Sequence, residues 1–274
     1  VSFISVFAYE IISNKNDVLD AASRMLHLVT SGKYSIMLVQ VMVISLGINL
    51  TLIFKNYIGS SIFFPLVIGR YHSPKEEYRI FLFIDLKSST HMAEHLGHVK
   101  YSSLIQDCFR DLSELVVKHS GAIYQFVGDE AVITWSAKRT SNYYNSVLLF
   151  FAFKETILKR SDFYQSKYSI VPSFKAAVHS GNVMAAQVGG EVKSEIAYHG
   201  DVLNTASRMM DLCKIYEKDL ILSENIVKQL DIGIEKVEIE FQDKLQLRGK
   251  DERLNIYSAC SENGAVDKKE LVDY

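Results

Sequence analysis

The chain has 274 residues, with 30 basic against 32 acidic side chains and a net charge of −2, so no global electrostatic drive points to nucleic acid. A composition 48% hydrophobic and 23% charged, with only 3 Pro and 14 Gly, excludes collagen-like, low-complexity and largely disordered chains. The length suits one large domain, or one ordinary domain with an extra segment.

Cys108, Cys213 and Cys260 are widely spaced and form no C-x-x-C pair, which argues against a disulfide framework or a Cys-rich zinc site. The first residue is Val and not Met, so the chain is expected to be a fragment or a processed product. Val1 to Ile12 is apolar enough to be the tail of a further span but too short to decide it. Ile36 to Phe54 runs 19 residues without a charge. At ~1.5 Å rise per residue such a helix nearly crosses a hydrocarbon core about 30 Å thick, with Lys33 and Lys55 marking the interfaces. A transmembrane helix over 36–54 is therefore expected. Gln40, Asn49 and Thr51 dilute the run and leave a buried core helix or a peripheral amphipathic one as the alternative.

Ile58 to Ile68, broken by Pro65, is too short to span; it reads as a membrane-surface or re-entrant element, or as a packing connector. More basic residues follow the main run (Lys55, Arg70, Lys75, Arg79) than precede it (Arg24, Lys33), which favours a cytoplasmic remainder. Residues 1–77 are accordingly expected to form a membrane-associated and connector region that places the protein in the cell membrane.

From Tyr78 the pattern becomes a soluble alternation of strands and helices. RIFLFID (79–85) is a continuous apolar run that predicts a buried strand. Helical spacing of Leu104, Cys108, Leu112, Leu115 and Val116 follows, ending at Gly121. AIYQFV and AVITW flank Gly128-Asp129-Glu130 and predict a hairpin with a tight turn. A helix over about Tyr144 to Leu158 comes next, then SFKAAVHSG and NVMAAQV as a strand pair, a helix over Asp201 to Cys213, and C-terminal strands in VEIEFQDKLQLRG and RLNIYSA. This order predicts an α+β sandwich with helices on one sheet face, over residues 78–258, and a polar tail over 259–274.

Asp85 ends an apolar strand, where a carboxylate is costly unless it leaves the core or is paired. Taken alone it reads as a helix cap or turn residue, and Asp129 as ordinary turn chemistry. Together they say more, because a central strand end and an adjacent hairpin tip can aim both carboxylates at one point. Two carboxylates without a neighbouring His suit a hard cation that bridges to substrate phosphates. The segment Leu86-Lys87-Ser88-Ser89-Thr90 then enters a helix, where backbone N–H groups can hold phosphate oxygens.

FIDLKSST, FVGDEAVITW and HGDVLNTASRM, in this order, resemble the class III adenylate/guanylate cyclase catalytic domain, and a preceding membrane segment resembles bacterial membrane-anchored adenylate cyclases. The resemblance implies a ferredoxin-like sandwich and a homodimer with active sites between subunits. It also implies conversion of a purine nucleoside triphosphate to its 3′,5′-cyclic monophosphate and pyrophosphate, for intracellular signal transduction, with two Mg²⁺ or Mn²⁺ ions per site. By position, Asp85 and Asp129 match the metal-binding aspartates, Asn204 and Arg208 the transition-state pair, and Arg248 and Lys250 a basic segment near the triphosphate. Lys87, Ser88, Ser89 and Thr90 fall in the phosphate-binding loop.

Two positions depart from the family pattern. Gln125 stands where adenylyl cyclases usually have Lys and guanylyl cyclases Glu, and Ala197 where Asp or Thr, or Cys, is usual. A Gln amide donates and accepts, so it can meet either purine, whereas Ala197 offers no side-chain hydrogen bond; backbone groups or Tyr198 are then left to select the base. Resemblance to the bacterial members favours ATP, with GTP and a catalytically inactive nucleotide-binding or dimerisation module as alternatives. A remote rival is His91-Met92-Ala93-Glu94-His95, which fits the H-x-x-E-H pattern of inverted zinc proteases.

Overall fold

The computed structural model describes residues 32–58, 69–190, 194–230, 237–246 and 253–261, together with Ser23 and His27. The chain divides into two compact units, Val1–Phe63 and Phe64–Tyr274. Val1 to Ile12 and residues 59–68 of the second apolar stretch lie outside the described residues, as do 262–274 of the tail.

In the first unit the helix α1 (Gly32–Ile58) contains the charge-free run, and is about 40 Å long at ~1.5 Å per residue. Its stretch Ile36–Ile53 is long and apolar enough to cross a membrane, and none of it is buried. A buried core helix is therefore not what forms. The polar residues that dilute the run are partly accounted for by the helix itself. Asn49 Nδ2 donates to the Ser45 carbonyl and Thr51 Oγ1 to the Gly47 carbonyl, both at 2.8 Å, which lowers the cost of placing them in hydrocarbon.

The second unit runs β1 (Lys75–Leu86), α2 (Ser89–Lys118), β2 (Ala122–Val127), β3 (Glu130–Ser136), α3 (Thr140–Lys159), α4 (Ser161–Tyr168), β4 (Phe174–Gly189), β5 (Ser194–His199), α5 (Asp201–Ile215), β6 (Leu220–Ser223), α6 (Glu224–Val227), β7 (Val237–Gln246) and β8 (Arg253–Ser261). The sheet order is β2-β3-β1-β4-β6-β8-β7, with β5 paired to β4. Of the strand pairs, β4–β6 is parallel and the others are antiparallel. The order β2-β3-β1-β4, with α2 between β1 and β2 and α3 before β4, is the expected ferredoxin-like arrangement.

β1 is central and buried on both faces, which is why its sequence reads as an unbroken apolar run. Ile80, Leu82, Ile84 and Leu86 pack with α2, α3 and α4; Phe81 and Phe83 pack on the other face with Val202, Ala206, Met209 and Met210 of α5. Helices thus cover both faces of the sheet, correcting the expectation of one. A second correction concerns residues 174–189. The strand pair read from SFKAAVHSG and NVMAAQV is one continuous 16-residue strand, in unbroken register with β1 from Leu86↔Phe174 to Lys75↔Ala185. Gly181 marks a close approach and not a turn: a Cβ there would stand 2.7 Å from Val202 Cγ2. Within α2, Gly97 (φ 71°, ψ 162°) interrupts the helical backbone, so the segment is kinked.

Candidate active site

Strand register assembles the charged cluster. Asp85 stands opposite Glu130 of β3 and Lys175 of β4, so one row of side chains crosses three strands. Asp85 shares the parity of Phe81 and Phe83, which places the row on the α5 face. Gly128, at φ 62°, turns the β2–β3 hairpin and sets Asp129 at its tip, one residue before Glu130.

The electrostatics are those of a carboxylate cluster with one cation. Lys175 Nζ lies 3.2 Å from Asp85 Oδ2. Burial pushes the Asp85 carboxyl up; Lys175 pulls it back, the charge of Asp129 adds to the rise, and it ends above the usual range. Glu130 is raised as well, by burial first and then by Asp85 and Asp129. On α2, the Tyr101 hydroxyl is hydrogen-bonded to Ser89 and Asp129, and its phenol is raised by burial and by the Asp129 charge.

This donor set fits a hard divalent cation. Its oxygens carry more negative charge than Lys175 offsets, and neither His nor Cys takes part. Among the described residues no group of three or more His, Cys, Asp or Glu converges into a cage. Mg²⁺-type ions are held in such sites by one or two carboxylates, completed by waters and substrate phosphates. Asp85 and Asp129 are the residues that would hold them.

The 86–90 turn leads from Asp85 into α2. Lys87 N donates to the Ser173 carbonyl (2.9 Å), Ser88 is left-handed (φ 54°, ψ 32°), and Met92 N donates to the Ser88 carbonyl (3.0 Å) in the first turn. The Lys87 ammonium does not extend toward the carboxylate row; it pairs with Asp219, just before β6. Of residues 87–90, the backbone N–H groups at the start of α2 remain available for an anion.

On α5 the buried side is Val202, Thr205, Ala206, Met209, Met210, Leu212 and Cys213. Asn204 is exposed and Arg208 half-buried, and their spacing of four puts them on one face, away from that core. Gln125 is exposed on edge strand β2, just past an irregularity in the β2–β3 register. Ala197 pairs with Ala186. Tyr198 packs edge-on against Tyr124 (5.1 Å) and Phe81 (5.6 Å), under the Arg79 guanidinium at 4.6 Å. Arg248 and Lys250 lie outside the described residues. His91, Glu94 and His95 are exposed on the first turns of α2, and among the described residues they belong to no metal-holding group of three or more.

Sequence reasoning did not find Lys175, Tyr101 or Asp219. Each meets the site only through strand register or helix packing, and nothing in its local sequence signals that.

This fold, with acids at a central strand end and on the neighbouring hairpin tip, defines a class that the comparisons identify. Residues 71–258 match the adenylate and guanylate cyclase catalytic domain, and the chain belongs to that family. Adenylate cyclase 2 of Rhizobium meliloti (strain 1021) is 31% identical over 217 residues, 78% of this chain; the chain spans 59% of that relative's length. Among solved structures, the adenylyl cyclase CyaB from P. aeruginosa superposes with a TM-score of 0.59 at 14% identity, covering 69% of this chain and 96% of the other. The guanylyl cyclase Cya2 gives 0.61 at 15% identity, covering 68% and 93%. Both share the fold.

Proposed function

We propose that the chain is a purine nucleotide cyclase that converts ATP to 3′,5′-cyclic AMP and pyrophosphate, with residues 78–258 as its catalytic domain. The observation that carries the reading is the meeting of Asp85 with the Asp129 hairpin tip across the β1–β3 register, in a chain whose α5 presents Asn204 and Arg208 four residues apart. The ribose 3′-hydroxyl attacks the α-phosphorus in line, a P–O bond forms, the α–β phosphoanhydride breaks, and the hydroxyl proton leaves for solvent. Asp85 and Asp129 would hold two divalent ions, Mg²⁺ or Mn²⁺, which when bound would supply Lewis-acid charge for the triphosphate and the attacking hydroxyl.

Arg208 stabilises charge on the phosphoryl oxygens and Asn204 orients the ribose. The N–H groups of Ser89 and Thr90, after the left-handed Ser88, hold phosphate oxygens, and the family resemblance assigns Arg248 and Lys250 to the triphosphate as well. Lys175, 3.2 Å from Asp85, would be free to meet the same anionic group once Asp85 held a cation. Gln125, Ala197 and Tyr198 border the base. Because α5 presents Asn204 and Arg208 outward, a second copy completes each site, giving a homodimer. α1 anchors the protein in the cell membrane with the catalytic domain in the cytoplasm, where the triphosphates are.

The test is to incubate the purified protein with ATP or GTP and Mn²⁺ or Mg²⁺ and separate the products. Cyclic AMP is expected, with loss of at least about a hundredfold on Asp85→Ala or Asp129→Ala. Gln125 and Ala197 favour a second reading, an inactive nucleotide-binding module. It would bind nucleotide with Mn²⁺ and form no cyclic product.

A further inference from the structure

The turn that follows Asp85 is held from a distant part of the chain. Lys87 pairs with Asp219, 132 residues later, and Asp219 also accepts a hydrogen bond from Lys154 Nζ of α3 at 2.9 Å. The Asp219 backbone is fixed too, since Ala176 N of β4 donates to its carbonyl at 2.7 Å. One carboxylate thus joins the 86–90 turn to α3 and to the start of β6. Burial pushes the Asp219 carboxyl up, and the bonds from Lys87 and Lys154 more than reverse this, leaving it below the ordinary range.

We propose that Asp219, acting through Lys87, is a positioning residue that holds the 86–90 turn in its triphosphate-binding shape. This rests on the cyclase reading above and deepens it. Two observations converge. The first is that the ammonium within the 86–90 turn is engaged by Asp219, which gives Lys87 the role of a tether and not of a phosphate ligand. The second is Ser88, a non-glycine residue in the left-handed region at φ 54°. A side chain there carries a steric cost that glycine escapes, and such a conformation persists where the surroundings over-determine it. The Lys87–Asp219 pair, with the Lys87 N to Ser173 carbonyl bond, is that over-determination. Removing Asp219 alone leaves Lys87 and Lys154 facing each other, and their repulsion drives Lys87 and its turn away.

The experiment compares wild type, Asp219→Asn, Lys87→Met, Ser88→Gly, and Ser88→Gly combined with each of the first two. The full chain is used in detergent. Two readouts are taken: KM and kcat for cyclic product, and calorimetric affinity for 3′-deoxy-ATP with Mn²⁺, which lacks the hydroxyl needed to cyclise. Asp219→Asn and Lys87→Met should each weaken 3′-deoxy-ATP binding and raise KM about three- to tenfold, with kcat changed less. Measured against the Ser88→Gly single variant as their reference, both double variants should recover most of the lost affinity, because glycine adopts the turn without the tether.

If Lys87 were a phosphate ligand, Ser88→Gly would not rescue Lys87→Met, and Asp219→Asn would not reproduce its effect; either result overturns the proposal. Should Asp219→Asn fail to fold, the Lys87→Met pair carries the same test from the other end of the tether. A wild type that neither cyclises ATP nor binds 3′-deoxy-ATP sinks the cyclase reading itself. An active wild type with an unaffected Asp219→Asn sinks only the tether.

Discussion

At the scale of single residues, the site is assembled against its own stability. Asp85 and Glu130 both sit above the usual carboxylate range, for burial first and then for the company of other acids. The sign of the consequence is fixed by that direction. A carboxyl whose folded pKa exceeds its unfolded one binds more protons in the native state across the window between them, so its contribution is present below the unfolded value and lost as pH rises through the folded one. Metal-free protein should therefore gain stability when one acid is neutralised. Asp129→Asn is expected to raise the unfolding midpoint at pH 7, worth about 0.5–1 kcal/mol, while abolishing turnover. The gain should vanish at a pH low enough to protonate Asp85 and Glu130, since their neutral forms no longer repel the carboxylate at 129. Thermal unfolding at the two pH values checks this, and an unchanged or lowered midpoint at pH 7 would show that Asp129 is not in repulsive contact with its neighbours.

At the scale of elements, α5 and β4 show both what the sequence discloses and what it withholds. Asp85 and Asp129 were legible because each sits at a recognisable punctuation of the chain, a strand end and a glycine turn. Asn204 and Arg208 are singled out by the family resemblance, and helical spacing adds only that they share one face of α5. The unbroken strand β4 was not, because Gly181 and Asn182 look like a turn, and only the helix lying across the strand explains the glycine. Lys175 and Asp219 were invisible for a related reason: a lysine on a strand or an acid in a loop acquires meaning from its cross-strand or cross-helix partner. β6, at four residues, and α6, at four, are too short to show a period.

The Gly181 contact yields a test of how closely α5 is placed. Gly181→Ala puts a methyl 2.7 Å from Val202 Cγ2, so α5 must shift. The expected cost is about 1–3 kcal/mol of overpacking, with a loss of kcat beyond what reduced stability explains, because Asn204 and Arg208 move with the helix. Adding Val202→Ala removes the clash and should recover both kcat and the melting temperature. Recovery of stability without recovery of kcat would separate α5 placement from catalysis.

At the scale of the whole molecule, the second unit carries the proposed site residues in two places: the carboxylate row at the β1 end, and the outer face of α5. The proposed homodimer accounts for this: in an isologous arrangement the α5 face of each copy would meet the carboxylates of the other, making two sites at once. The consequence is quantitative. Asp85→Ala and Arg208→Ala chains should each be inactive as homodimers, since every site then lacks either its metal ligand or its phosphoryl-stabilising cation. Mixed in equal amounts and allowed to exchange, random pairing makes about half of the dimers mixed, and each mixed dimer has one intact site of two, so up to about a quarter of wild-type activity should return. The mixture is assayed with ATP and Mn²⁺ after exchange has been verified with differently tagged chains. Verified exchange with no returning activity would place both residues in one chain's site, and the outward α5 face would then need a different partner.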